Sequence, residues 1–215
     1  DHLDYVIGPH NHEDHIGGMD DVITAYSSEV DYIMLSEEEG TTATYRSVVE
    51  AADSSSAEQL TPKAGETYTL GDATWQILSC DTDMPDLNES SIVIKLTYGN
   101  TSFLFTGDAT MNTEQGLEMS GYDLKSDVLK VGHHGSAGST ADSFLDAVAP
   151  EIAVISVDSE SDMGEMYHHP ATSTLQRLSQ HGIKVYRTDE LGTIRITSDG
   201  EKLAVSAFAT STDGT

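Results

Sequence analysis

Residues 10–15 read His-Asn-His-Glu-Asp-His and follow a short apolar stretch, and this string constrains the chain more than any other feature. In a strand that runs into a loop, residues i and i+2 point the same way. His10 and His12 can therefore converge on one metal ion, while Asp14 and His15 turn toward a second. Neutral imidazole and carboxylate are ligands that Zn²⁺ and similar divalent cations prefer. The spacing predicts two adjacent metal sites, and a His-rich polar surface loop is the alternative.

The composition limits the partners of the chain. Its 37 Asp and Glu residues against 10 Lys and Arg residues leave a formal net charge of −27. That charge favours solubility and disfavours a polyanionic partner, because binding to a phosphate backbone draws its affinity from Lys and Arg. Cys80 is the single cysteine, which excludes an internal disulfide and a cysteine-based zinc site. No apolar run approaches the roughly 18 residues that a membrane helix needs.

Hydrophobic periodicity predicts two different halves of one domain over residues 1–208, followed by a disordered tail at 209–215. Strands are predicted at 4–7, 31–35, 67–70, 74–78, 91–98, 101–105, 127–131, 152–157, 184–187, 193–197 and 202–208. Helices are predicted at 19–27, 42–53, 112–120 and 140–148, with another ending at 181. Hairpins dominate the first half, and strands alternate with helices in the second. This mixture predicts an α/β fold with two sheet layers flanked by helices rather than a doubly wound sheet.

Seven motifs occur in order along residues 3–200. They are HNHEDHIGG at 10–18, NESSIV at 88–93, LFTGD at 104–108, DVLKVGHHGS at 127–136, AVISV at 153–157, His169-Pro170 and YRTD at 186–189. With these motifs the chain resembles the metallo-β-lactamase superfamily of binuclear metal hydrolases. Within it, the chain is similar to the C-terminal hydrolase domain of bacterial competence (DNA-uptake) channel proteins and to free-standing secreted relatives. The resemblance implies an αββα sandwich with two divalent metal ions, Zn²⁺ or Mn²⁺, at one edge.

The resemblance also implies a ligand set. His10 and His12 would hold the first metal, Asp14 and His15 the second, and Asp108 would bridge them. The sequence supports Asp108 independently, since a carboxylate after Gly at a strand end can approach two cations about 3.5–4 Å apart. A common Thr-Gly-Asp turn is the alternative for that motif.

The later histidines divide less easily. Adjacent residues at a strand end face opposite ways, so one of His133 and His134 is expected to complete the second metal site. His134 is the preferred ligand, with His133 beside it or acting as a proton donor. His169 is expected as a further ligand or as the general acid, because imidazole titrates in the useful range. For His168, a turn that caps the next helix is the preferred interpretation.

Two departures from the family pattern matter. Many members place a third histidine on the first metal, in the region where this chain has Asn88. An amide oxygen suits Mn²⁺ better than Zn²⁺, and a simple turn-capping role for Asn88 is the alternative.

Members also carry β-structure before the first histidine motif, so the sandwich would lack N-terminal strands and expose an unpaired edge. A shortened chain is the favoured explanation; a second polypeptide carrying the strands and a degenerate domain are the alternatives.

The resemblance implies hydrolysis by metal-activated water, with Asp14 orienting the nucleophile and His133 or His169 protonating the leaving group. A small-molecule or polymeric phosphodiester is the favoured substrate. A nuclease of the DNA-uptake type is possible, although the net charge disfavours nucleic acid. A teichoic-acid phosphocholine esterase and a non-catalytic metal-binding module are further alternatives, and a true β-lactamase is less expected. The sequence leaves the compartment open, with a location outside the cytoplasm favoured by the secreted relatives.

Overall fold

The first sheet places the opening histidine string at the end of a strand. This computed structural model describes residues 2–82, 84, 86–158 and 168–208. The sheet consists of β1 (Leu3–Gly8), β2 (Val30–Leu35) and β3 (Glu58–Leu60), all parallel and in that order. The connections contain the helices α1 (Glu13–Ile16), α2 (Met19–Ala25) and α3 (Ala43–Ser54). Because β1 ends at Gly8, residues 10–15 lie just beyond its carboxyl end.

The second sheet is wider and brings the other motifs to the same edge. Its seven strands lie in the order β10-β9-β8-β7-β6-β5-β4. They are β4 (Thr67–Leu70), β5 (Ala73–Ser79), β6 (Val93–Tyr98), β7 (Thr101–Phe105), β8 (Val128–Lys130), β9 (Ile152–Ile155) and β10 (Lys184–Arg187). Neighbours from β4 to β7 pair antiparallel, and those from β7 to β10 pair parallel. The carboxyl ends of β7, β8 and β9 therefore meet at one edge, where Asp108, His133 and His134 follow.

The remaining elements of the described residues are helices on the second sheet and a terminal hairpin. The helices are α4 (Met111–Ser120), α5 (Asp142–Val148), α6 (Thr172–Gln180) and α7 (Thr188–Leu191). The hairpin joins β11 (Thr193–Ser198) to β12 (Leu203–Phe208) in antiparallel pairing. None of the helices in the described ranges combines the length and the apolar character that crossing a bilayer requires.

Three apolar clusters show how the layers stack. Met34, Trp75, Ile77 and Ile92 pack between the two sheets. A second cluster, including Ile16, Ile23, Ile33 and Val48, joins the first sheet to its helices. The largest cluster joins the second sheet to α4, α5 and α6, and includes Leu104, Leu129, Phe144, Ile155 and Leu178. The order helix, sheet, sheet, helix confirms the predicted αββα sandwich.

The two sheets differ in width, and this opens a groove between them. The first sheet has three strands and the second has seven, so part of the second sheet's inner face stays uncovered in the described part of the chain. β1 lies at one edge of the first sheet. A cavity of about 480 Å³ runs along this uncovered face, between β1 and the inner side of β6 and β7, and ends at the histidines.

Most predicted elements are present, and the differences are local. The predicted strand 127–131 ends one residue earlier, at Lys130, and the residues that follow form a tight turn. The periodicity did not predict β3, α7 or the short helix α1. Residues 81–90, where no strand or helix was predicted, contain a 3₁₀ turn at Leu87–Ser90. The expected tail at 209–215 lies outside the described residues, as do residues 159–167.

Candidate metal centre

His10 and His12 converge as their spacing predicted. The His10 Nε2 atom lies 3.2 Å from His12 Nδ1. On the other side of the His10 ring, Nδ1 lies 3.4 Å from the hydroxyl of Ser91. Since Ser91 occupies Nδ1, the Nε2 atom of His10 faces His12, and the two imidazoles direct one nitrogen each toward a common point.

A single helical turn directs the second half of the string elsewhere. The carbonyl of His12 accepts hydrogen bonds from the backbone N–H groups of His15 and Ile16 at 3.1 and 3.2 Å. These bonds begin α1, so the backbone rotates immediately after His12. Asp14 and His15 then face a different direction from His10 and His12. The string divides into two pairs because the strand-end loop becomes a helix at this residue.

Asp14 and His15 meet His134 in a compact cluster. His134 Nε2 lies 3.1 Å from His15 Nε2 and 3.2 Å from Asp14 Oδ2. The Oδ1 atom of Asp108 completes the cluster at 3.1 Å from His15 Nε2 and 3.5 Å from His134 Nε2. One ligand atom from each of these four side chains lies within 4.8 Å of the others. Two imidazoles and two carboxylates in this arrangement suit a divalent cation.

Asp108 lies between the two groups of histidines. Its Oδ1 atom faces His15 and His134, whereas Oδ2 lies 3.8 Å from His10 Nε2. The residue is 2 % exposed, and its backbone N–H donates to the Ser91 hydroxyl at 3.0 Å. Ser91 therefore anchors both His10 and Asp108. A single carboxylate faces both groups with different oxygens.

His133 and His134 both approach Asp108, for a reason that the sequence did not reveal. Both residues have left-handed backbone conformations, with φ of 48° and 52°. The expectation that adjacent residues face opposite ways applied to a strand end, and the strand has already ended at Lys130. His133 Nε2 lies 3.9 Å from Asp108 Oδ2, whereas His134 approaches Oδ1. His134 Nδ1 donates to the carbonyl of Ser156 at 2.7 Å, which leaves its Nε2 free to bind a metal.

His169 lies at the outer side of this arrangement. Its ring centre is 5.5 Å from that of His133. Burial lowers the pKa of His169, and the neighbouring His133 and His134 lower it further. The structure therefore places His169 beside His133 rather than in the cluster around Asp14. His168 is exposed and contributes nothing to this cluster.

The pKa values reflect a concentrated set of charges. Burial, with His15 nearby, lowers the pKa of His10 to about 3, so this ring is neutral and can bind metal at pH 7. Contact with His134 lowers the pKa of Asp14 to about 2. Burial opposes ionisation of Asp108, but His134 and His15 outweigh it and hold the pKa of that carboxyl well below its usual range. Burial also opposes the charged form of His134, yet contact with Asp108 and Asp14 raises its pKa to about 10.

These donors fit a cation better than they fit one another. His15 Nε2 and His134 Nε2 lie 3.1 Å apart, and both also lie close to Asp108 Oδ1. A proton on one of these nitrogens can form a hydrogen bond with only one of its neighbours at a time. The buried Oδ1 atom of Asp108 has no hydrogen bond of acceptable geometry within the described ranges. A divalent cation would satisfy these nitrogen and oxygen atoms together.

Two positioning residues were not predicted from the sequence. Ser91 belonged to a recognised motif but had no assigned role. Asn11 separates His10 from His12, and its side-chain N–H₂ donates to the carbonyls of Ser36, at 3.4 Å, and Glu38. These bonds fix the histidine loop to the segment after β2. The only available signal was the position of each residue beside a predicted ligand.

Asn88 lies in the 3₁₀ turn Leu87–Ser90 and is buried. Its backbone N–H donates to Asp86 Oδ1 at 3.0 Å. Its amide oxygen is buried and has no hydrogen-bond partner in the part of the chain that the structure describes. A free amide oxygen is compatible with the ligand role suggested by the sequence, and that role stays a prediction.

Comparison with known proteins now identifies the family. Residues 1–159 match the metallo-beta-lactamase superfamily. The chain belongs to that superfamily. Its members are generally metal-dependent hydrolases, and the donor set described above agrees with divalent metal binding.

Two curated relatives carry competence names. The chain is 33% identical over 194 residues to ComE operon protein 3 of Bacillus subtilis (strain 168), covering 90% of the chain and 24% of that protein. It is 40% identical over 111 residues to Competence protein ComA of Neisseria gonorrhoeae, covering 51% of the chain and 16% of that protein. The chain thus spans a quarter or less of the length of these relatives.

The fold is also similar to solved structures. The metallo-beta-lactamase fold protein YhfI from Bacillus subtilis superposes with a TM-score of 0.51 at 12% identity. The match covers 86% of this chain and 75% of YhfI. This likeness agrees with the αββα sandwich built from the sheet order.

Metal binding is expected to release a proton, because His134 carries one at pH 7 and a ligating imidazole must be neutral. Calorimetric titration with Zn²⁺ or Mn²⁺ in buffers of different ionisation enthalpy should show about one proton released per chain. Below the raised pKa, the affinity should fall about tenfold per pH unit as the pH decreases. His134→Gln should remove this proton release and weaken binding. A binding enthalpy that is independent of the buffer would contradict the prediction.

Gly107 is expected to be essential for placing Asp108. Its φ is +53°, and an added Cβ would lie 2.9 Å from both Cβ and Oγ of Ser91. Gly107→Ala should therefore displace the carboxylate and weaken metal binding by about tenfold to a hundredfold. Gly71→Ala is the matched control, since Gly71 has a φ of +57° but open space around it. Equal metal affinities in the two variants would show that the contact with Ser91 is unimportant.

Proposed function

We propose that this protein hydrolyses phosphodiester bonds with a dinuclear centre of Zn²⁺ or Mn²⁺. His10, His12 and Asp108 would hold the first ion, and Asp14, His15 and His134 would join Asp108 at the second. The observation that carries the proposal is the position of Asp108, whose two oxygens face different groups of histidines. When bound, two cations lower the pKa of water and polarise the substrate oxygen.

The protein side chains would position the reacting groups. The Asp14 side chain is 61% exposed, so solvent reaches it, and its low pKa keeps it a carboxylate at neutral pH. It can accept a hydrogen bond from the attacking water and orient its lone pair toward the substrate. His133 is the proposed proton donor to the leaving group, because it lies near Asp108 Oδ2 and outside the cluster around Asp14. His169, beside His133, is the second candidate for that role.

Phosphodiesters are favoured for a chemical reason. In-line displacement at phosphorus benefits from two cations that stabilise the attacking and the leaving oxygen at once. The competence relatives support a phosphodiester substrate, and a nuclease activity would follow from them most directly. The net charge of −27 opposes binding to long polyanions, so a short phosphodiester is preferred to a DNA strand.

One observation favours a phosphodiester that carries a cationic choline group, the substrate of a phosphocholine esterase, as a second candidate. Glu37, Glu38 and Glu39 follow β2, and Asn11 binds the Glu38 carbonyl from within the histidine loop. Three acidic residues therefore follow one another in a segment whose backbone contacts the histidine loop. A quaternary ammonium group, as in phosphocholine esters, would be attracted there.

Asp108→Ala should abolish hydrolysis in the metal-loaded protein, because it removes the carboxylate shared by both sites. We expect the rate with bis-p-nitrophenyl phosphate to fall at least about a hundredfold, with metal content, measured by mass spectrometry, reduced from two ions per chain. Asp72→Ala, at an exposed turn, is the control with the same change of charge. An undiminished rate would rule out the proposed centre.

The same measurement on p-nitrophenyl phosphocholine and single-stranded DNA separates the candidates. Faster turnover of the choline ester would support the choline-bearing substrate, and preference for DNA would support a nuclease. Full metal occupancy without turnover of any phosphodiester would favour a metal-binding module.

His133→Gln should slow the hydrolysis of substrates whose leaving group must be protonated as it departs. Phenol, with a pKa of about 10, leaves poorly without a proton, whereas p-nitrophenolate leaves readily. We expect the variant to lose about 10²-fold to 10⁴-fold in rate on a phenyl phosphodiester and much less on the nitrophenyl ester. His169→Gln serves as the comparison. Equal losses on both esters in His133→Gln would contradict a proton-donor role.

A further inference from the structure

Lys130 has no role in the reaction proposed above. It is the last residue of β8, one position after Leu129. Leu129 packs in the apolar cluster beneath α4, α5 and α6. Successive side chains of a strand point to opposite faces, so Lys130 faces the inner side of the sheet. It therefore lines the groove between the sheets, on the side opposite the helices.

The groove combines an apolar wall with one polar end. Ile94, Leu96 and Phe105 contribute to the apolar wall. Asp14, His15 and His134 line the same cavity at its polar end, together with Lys130. A substrate bound to the candidate metal centre from the groove would thus have this ammonium group beside it.

Among the described residues, the Lys130 ammonium lacks a partner of opposite charge. An ammonium has three N–H donors, and in the described residues Nζ makes one hydrogen bond, to the carbonyl of Val131 at 3.1 Å. No carboxylate of the described ranges lies within 4 Å of it, although the chain carries 37 acidic residues. A half-buried cation is costly unless a counter-charge completes its interactions. Burial lowers the pKa of Lys130, and the more distant Asp108 and Asp14 oppose that change.

We propose that Lys130 forms an anion-binding site at the polar end of the groove and donates a hydrogen bond to a non-bridging phosphoryl oxygen of the substrate. This inference rests on the proposed function and names the group that recognises the charge of the phosphodiester. Lys130 would then contact a phosphoryl oxygen other than the one that metal ions at the centre would polarise. Neutral esters gain nothing from this contact, so Lys130 determines specificity for anionic substrates.

Phosphate binding tests the site without requiring turnover. The dissociation constant of inorganic phosphate is measured by calorimetry for the metal-loaded wild type, Lys130→Met and Lys130→Arg. Loss of one charge-assisted hydrogen bond should weaken phosphate binding in Lys130→Met by about tenfold to a hundredfold, while Lys130→Arg keeps most of the affinity. Lys125→Met, at an exposed position, makes the same change in net charge and should leave binding unaltered. Metal content should equal that of the wild type in all variants.

Each outcome decides the proposal. Equal phosphate affinity in the wild type and Lys130→Met, or no binding by the wild type at millimolar phosphate, would overturn it. Loss of metal from Lys130→Met would also overturn it, since the lysine would then serve the metal ligands. Phosphate binding that depends on Lys130 in a protein that cleaves no phosphodiester would uphold the anion site and refute the proposed function instead. If the protein is an active enzyme, Lys130→Met should raise the KM for bis-p-nitrophenyl phosphate. The KM for any hydrolysis of p-nitrophenyl acetate should not change, because that ester is neutral.

Discussion

The buried carboxylate of Asp108, placed between two groups of imidazoles, is the interaction on which the rest of the site depends. An ionised group with 2 % exposure is stable only where opposite charges or strong donors surround it. Here the surrounding groups are His10, His15, His133 and His134, at 3.1 to 3.9 Å. Removing the carboxylate would leave these rings without the charge that organises them. Conversely, His134 and His15 outweigh the effect of burial and hold the pKa of Asp108 well below its usual range.

The scaffold makes this arrangement possible by bringing three strand ends to one edge. β1 belongs to the first sheet, whereas β7 and β8 are neighbours in the second, yet the residues after each of these strands meet. Gly107 allows the backbone to approach Ser91 at a distance that a side chain would prevent. Ser91 then contacts both His10 and Asp108, so one hydroxyl couples two of the three segments. Catalytic geometry of this kind comes from fixed backbone positions rather than from flexible side chains.

Charge is distributed unevenly over the molecule, and the candidate metal centre differs in composition from the acidic remainder of the chain. The chain as a whole is strongly acidic, whereas four of its nine histidines and Lys130 gather around Asp108 and Asp14. Bound divalent cations would make this region locally positive within an acidic surface. Under the proposed function, anionic substrates would then bind at the centre of an otherwise acidic chain.

The sequence by itself determined the family, the sandwich and the side chains that gather at the site. Its periodicities of two and 3.6 residues located most strands and helices, and the spacing of residues 10–15 separated two pairs of candidate ligands, because both depend on local geometry. Tertiary structure alone decided that His133 and His134 both approach Asp108. Both residues have left-handed backbone conformations after β8 ends, and no local pattern specifies them. The roles of Ser91 and Asn11 and the inward position of Lys130 likewise depend on contacts between segments far apart in the chain, which sequence spacing does not encode.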